Sequence, residues 1–149
     1  MQESPNLTAR DTALLRQYGL DPAQLTCCTV RTYRFGEALI SGGVDSAFLF
    51  LITDGRAKVC RAVPNGKILI LNFYVSSGLI GEAEFFSCCA LGDSTVNALD
   101  RFRCIVIPIA ANRAALEQNL AFTRCAAHAL GEKLQKAGRI AAENTLCSA

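Results

Sequence analysis

YRFGEALISGGVDSAFLFLITDGRAKVCRAVPNGKILILNFYVSSGLIGEAEFF, residues 33–86, alternates short apolar runs with glycine turns. Three runs, 48–53, 56–63 and 67–74, are rich in aromatic, β-branched and other apolar residues, the composition of half-buried strands. Asp54-Gly55 and Asn65-Gly66 separate them. Such dipeptides suit two-residue hairpins, whose two central residues both need positive φ. Short strands joined by regular turns predict an all-β barrel or sandwich. The stretch closes on Gly81-Glu82, the pair best placed to meet a ligand.

On the N-terminal side, residues 8–19 read as a helix. Thr8 with Asp11 makes a capping box with Asp in place of Glu, and Gly19 supplies a stop. Asp21-Pro22 opens a second short helical piece, with proline at the first helical position. The pattern turns to β at Cys27, with turns at Gly36 and at Ser41-Gly42-Gly43. Residues 94–98 and 101–109 read as a last hairpin around Asp100-Arg101, and Pro108 closes the β region. Residues 110–119 then read as a short helix and 120–144 as a long one.

On the long helix, Ala127, Leu130, Leu134, Ala137, Ala141 and Asn144 recur at spacings of three and four, a heptad-like seam on one face. Its small residues suit close packing against a second copy of the chain, a homodimer; docking on the chain's own β domain is the alternative. The expected organisation is a helical segment at 1–26, a β-roll at 27–109, and a helical region at 110–149.

The chain has 149 residues and 51% hydrophobic content, enough for one domain with a substantial core. Charged residues make up 19% and the net charge is +2, so no strong electrostatic footprint for nucleic acid is expected. No apolar run approaches the ~18 residues of a membrane span. Residues 1–6 are polar and lack the apolar core of a signal peptide. A cytoplasmic protein is expected.

Eight cysteines include the vicinal pairs Cys27-Cys28 and Cys88-Cys89 but no Cys-x-x-Cys, so zinc-finger and thioredoxin signatures are absent. Neighbours in a strand point to opposite faces, so a vicinal pair there does not chelate as a unit. Most of the thiols are expected to be small buried hydrophobes, with an iron–sulfur or redox role as the alternative. His128 is the only histidine and is expected at a surface or an interface. One histidine serves neither a Ser/His/Asp set nor a multi-histidine cupin metal site, and no enzyme is expected. Arg124, Lys133, Lys136 and Arg139 lie alongside Glu132 and Glu143 and read as a mixed, solvated helix face.

The order of helical N-terminus, β-roll, short helix and long helix resembles the sensory domain of the cyclic-AMP receptor protein/FNR superfamily of bacterial transcription regulators. Tyr33, Leu39-Ile40, Gly43, residues 49–52, Gly55, Val59, Gly66-Lys67, Ile70-Leu71, Gly81-Glu82 and Phe85-Phe86 carry the resemblance. Within the superfamily the chain is most similar to the YeiL-like branch, with Cys104 and Cys125 in comparable places. The resemblance implies a jelly-roll effector domain, a long dimerisation helix, and DNA binding through a C-terminal helix-turn-helix module. The chain stops at Ala149, where that module would begin, so a fragment is expected that meets DNA only through the missing part. FNR-type members carry an N-terminal cysteine cluster for an iron–sulfur centre; Cys27-Cys28 alone do not supply four thiolates.

In cyclic-nucleotide-binding members, the resemblance implies, the Glu after the Gly accepts from a ribose hydroxyl and an Arg-Ser pair about ten residues on holds the phosphate. Here Gly92 and Asp93 stand where that pair would be. Losing one charged hydrogen bond costs ~1.5–3 kcal/mol, at least tenfold in affinity, and Asp93 adds repulsion. Arg101 and Arg103 lie beyond the next turn. Cyclic AMP is therefore not the expected effector. Gly81, Glu82, Ser94 and Thr95 are the candidate ligand residues, suited to a neutral or cationic small molecule, with Asp93 a further acceptor. A vestigial pocket is the alternative, with Glu82 solvent-facing or locally hydrogen-bonded.

Overall fold

The computed structural model describes residues 1–43, 47–61, 73–87 and 94–147. In chain order the elements are β1 (Gln2–Ser4), α1 (Ala9–Gln17), a 3-10 turn (Pro22–Gln24), β2 (Thr29–Tyr33), β3 (Ala38–Ile40), β4 (Phe48–Asp54) and β5 (Ala57–Arg61). There follow β6 (Phe73–Val75), β7 (Leu79–Ile80), α2 (Glu82–Ser87), β8 (Ser94–Ala98), β9 (Phe102–Pro108), α3 (Ile109–Glu117) and α4 (Leu120–Cys147). The strands form two antiparallel sheets, ordered β1-β2-β9-β4-β7 and β3-β8-β5-β6. The jelly-roll expectation holds, and so does the long terminal helix.

Strand pairing departs from the sequence reading. The Asp54-Gly55 turn does not close a hairpin, because β4 pairs with β9 and β7 while β5 pairs with β8 and β6. The chain changes sheets there, and does so again between β8 and β9, so the hairpin read around Asp100-Arg101 is also a crossover. At the first corner only Gly55 takes positive φ, +87°, whereas a hairpin of the expected type needs two such residues. The corners lock together. Leu99 N–H donates to the Arg56 carbonyl at 2.8 Å, and Asp100 accepts from Arg56 N–H at 2.8 Å and from Arg56 Nε at 3.0 Å. The Asn65-Gly66 turn lies outside the described residues, although β5 and β6, which flank it, do pair antiparallel.

A Cβ on Gly55 would sit 2.5 Å from the Arg101 carbonyl oxygen, in a backbone conformation that already strains an L residue. Gly55→Ala is expected to destabilise by about 2–3 kcal/mol, the combined effect of positive φ and a backbone clash. Urea unfolding measures this, and an unchanged midpoint would contradict the corner geometry.

Strands β4 and β9 of the five-stranded sheet are buried on both faces over most of their length, which explains their near-continuous apolar runs. Leu49 and Leu51 of β4, with Ile105 and Ile107 of β9, face the helices and pack with Leu15, Leu116 and Phe122. Phe50 and Ile52, with Cys104 and Val106, face the second sheet and pack with Ile80, Val96 and Phe102.

α1 begins with the expected capping box. Asp11 N–H donates to Thr8 Oγ1 at 3.2 Å, and Asp11 Oδ2 accepts from Thr8 N–H at 2.8 Å. The same buried carboxylate receives a two-pronged guanidinium from Arg103 on the helix-facing side of β9, at 2.6 and 2.7 Å. Arg103 therefore points away from the space between the sheets.

The segment read as helical up to residue 26 also holds a strand that the sequence reading passed over. β1 pairs with β2, and Glu3 accepts from Thr29 Oγ1 at 2.7 Å. Asn112 of α3 clamps the chain before β2, accepting from Thr26 N–H at 2.7 Å and donating to the Thr26 carbonyl at 2.9 Å.

Candidate functional site

β7 delivers the chain to Gly81, whose φ of +94° turns it into α2, and Phe85 N–H returns to the Gly81 carbonyl at 3.0 Å. Glu82 opens α2 and is only 2% exposed. Its Oε1 lies 2.5 Å from Lys133 Nζ, which reaches in from α4 and also donates to the Leu79 carbonyl. Two sequence expectations are corrected here. Glu82 is not solvent-facing, and Lys133 is not part of a solvated helix face. The latter has a visible signal: Leu130, Lys133, Leu134 and Ala137 recur at i, i+3, i+4 and i+7, so the lysine shares a face with the apolar seam. Lys136, a turn further, donates to the Tyr74 carbonyl at 3.0 Å.

Beside this pair is a cleft of about 420 Å³. The sheets supply Ile40, Val59, Ile80, Ser94 and Val96; α2 supplies Ala83 and Glu84 next to Gly81 and Glu82; α4 supplies Leu130, Lys133, Leu134 and Ala137. Gly81, Glu82 and Ser94 of the sequence-read ligand set are thus brought together. Thr95 is not with them. Adjacent strand residues face opposite ways, and the Thr95 hydroxyl accepts from Gly42 N–H at 3.0 Å. Asp93 and Gly92 lie outside the described residues.

α2 is pinned to α4 a second time by aromatic rings. Phe85 meets Phe122 edge-on at 6.2 Å, and Phe86 stacks on Phe122 at 6.3 Å. Of the seam residues, Leu130 and Ala137 are half-buried by the chain's own cleft, Leu134 is 73% exposed, and Ala127 and Ala141 are exposed.

Among the described residues no three of His, Cys, Asp and Glu stand together as metal ligands; Cys88, Cys89 and the Cys147 side chain lie outside that set. The expectation of mostly buried thiols is corrected too. Of the cysteines whose burial is described, only Cys104 is fully buried, Cys28, Cys60 and Cys125 are half-buried, and Cys27 is exposed with φ 56°. Burial pushes the Cys104 thiol up to about 12 and that of Cys28 up to about 11, so both stay protonated at neutral pH. His128 is 76% exposed, as expected, with Nδ1 3.9 Å from Glu132. Among the described residues no helix is long and apolar enough to cross a membrane.

The chain thus combines a two-sheet jelly roll, a Gly-Glu turn at a cleft and a long helix across it. The family model of the cyclic nucleotide-binding domain matches residues 30–119, and the chain belongs to that family. It is 25% identical over 88 residues to the regulatory protein YeiL of Escherichia coli O157:H7. That match covers 59% of this chain and 40% of the relative, so the chain spans less than half of that regulator. The fold is shared with the sensor domain of the transcriptional regulator DNR from Pseudomonas aeruginosa, at a TM-score of 0.62 and 19% identity, with 83% of each chain covered. It is shared also with the Thermus thermophilus catabolite activator protein, at a TM-score of 0.63 and 18% identity, covering 97% of this chain and 63% of that one.

Proposed function

We propose that this chain is the effector-sensing and dimerisation part of a transcription regulator, coupling a small molecule in the β-roll to a DNA-binding module outside the present sequence. In this reading residues 27–109 sense and residues 110–149 dimerise. One observation carries it: Leu130, Leu134 and Ala137 belong both to the cleft wall and to the heptad-like seam. A ligand touching those side chains changes the surface that α4 offers a second copy. Such coupling requires the ligand to favour one α4 packing over the other, not merely to bind.

Cyclic AMP is not the effector in this reading. The phosphate-holding Arg-Ser pair is replaced by Gly92-Asp93 in the sequence, and the cleft's lysine is engaged by Glu82. Sedimentation velocity tests the proposal. The wild-type chain is expected to sediment as a dimer and Leu134→Asp as a folded monomer. Millimolar cyclic AMP is expected to leave the thermal midpoint of both unchanged. An unchanged dimer in Leu134→Asp would remove the seam, and a cyclic-AMP-induced rise in the midpoint would remove the effector assignment.

A further inference from the structure

Resting on the reading of the cleft as the sensor pocket, we infer that its ligand is a compact apolar molecule with one hydrogen-bond-donating head and no anionic group. The walls set the body of the ligand. Ile40, Val59, Ile80, Val96, Leu130 and Leu134 present aliphatic surface from both sheets and from α4. A volume of about 420 Å³ falls within the range of small-molecule sites. Apolar area removed from water at ~25 cal/mol per Å² is then the main source of affinity.

Charge sets the head. Among the described residues the cleft holds two carboxylates, Glu82 and Glu84, and one ammonium, Lys133. That ammonium already donates to Glu82 Oε1 and to the Leu79 carbonyl. Lys133 has two of its three donors committed and its charge balanced by a carboxylate that is 2% exposed, so an anionic ligand there would compete with Glu82 for that charge and face the Glu82 and Glu84 carboxylates. A donor head has open acceptors instead. The half-exposed Glu84 carboxylate forms no ion pair among the described residues, and the Ser94 hydroxyl lies on the opposite wall. A neutral or cationic donor matches this balance and a phosphate or sulfonate opposes it.

A matched pair of fluorescent probes tests the inference on the chain as it stands. N-phenyl-1-naphthylamine is neutral, apolar and carries one N–H; its 8-sulfonate analogue differs by one anionic group. The amine is expected to bind saturably, one per chain, and the sulfonate at least about tenfold more weakly, the size of one lost charged interaction. Ala83→Trp fills the mouth of the cleft from an exposed position on α2 and is expected to weaken amine binding at least about fivefold, the loss of roughly one good apolar contact. Equal or tighter binding of the sulfonate would overturn the ligand class and leave the pocket standing. Amine binding that is absent, or indifferent to Ala83→Trp, would overturn the pocket itself. Amine binding that falls away as the protein concentration is raised would overturn the inference by giving the cleft to a second copy of α4.

Discussion

Lys133→Met is expected to destabilise the chain by about 3–5 kcal/mol, the effect of leaving a buried charge without its partner. Glu82 is 2% exposed, and the lysine ammonium is its only ion-pair partner among the described residues. The substitution also strips the Leu79 carbonyl of the donor that Lys133 supplies. Methionine keeps most of the side-chain volume, so the loss is electrostatic rather than a cavity. The Glu82→Gln/Lys133→Met double variant is expected to recover at least half of the loss, because the amide carries no charge to strand. Urea unfolding of both measures this. A Lys133→Met change below about 1 kcal/mol, the value of an exposed pair, would mean that Glu82 is solvated in solution.

Arg103→Leu is expected to cost about 3 kcal/mol at neutral pH, by the same reasoning applied to Asp11. Asp11 is fully buried and retains only its Thr8 donors once the guanidinium is gone. The pair leaves a pH signature. Hydrogen bonds from Arg103, with those from Thr8, outweigh burial and hold the Asp11 carboxyl at about 2, below its ordinary 3.8. A carboxyl lowered on folding stabilises fully above its unfolded value and loses that contribution as pH falls through the folded value. Asp11 therefore contributes about 2 kcal/mol at neutral pH, lost between roughly pH 4 and pH 2. In Arg103→Leu the largest lowering interaction is gone while burial remains, so the carboxyl rises from its wild-type value and the variant loses less stability than the wild type as pH falls. Unfolding midpoints at neutral pH and near pH 3 are expected to converge. A constant gap between the two proteins would show that the Arg103 contribution does not pass through Asp11.

The elements were legible where local chemistry dominates. The Thr8 capping box, the Gly81 turn and the long helix follow from residues a few positions apart. Strand pairing was not, because Asp54-Gly55 satisfies a corner between sheets as well as a hairpin; what distinguishes them is its contact with Asp100 and Arg101, 45 and more residues away. β1 is polar, Gln-Glu-Ser, and exists through pairing with β2. α2 has six residues, too few to be stable alone, and stands because Glu82 and Phe85 are held from α4. For the site, Gly81, Glu82 and Ser94 were legible and Lys133 was not. Sorting the basic residues of α4 by charge hid the one that shares a face with Leu130 and Leu134.

The central claim is that cleft occupancy and α4 pairing are one equilibrium, and sedimentation across a protein dilution series with and without saturating N-phenyl-1-naphthylamine tests it most directly. The expected result is a dimer dissociation constant that falls at least about fivefold on saturation, the lower end of ordinary allosteric coupling. The same constant with the probe demonstrably bound would separate the cleft from the helix and contradict the account.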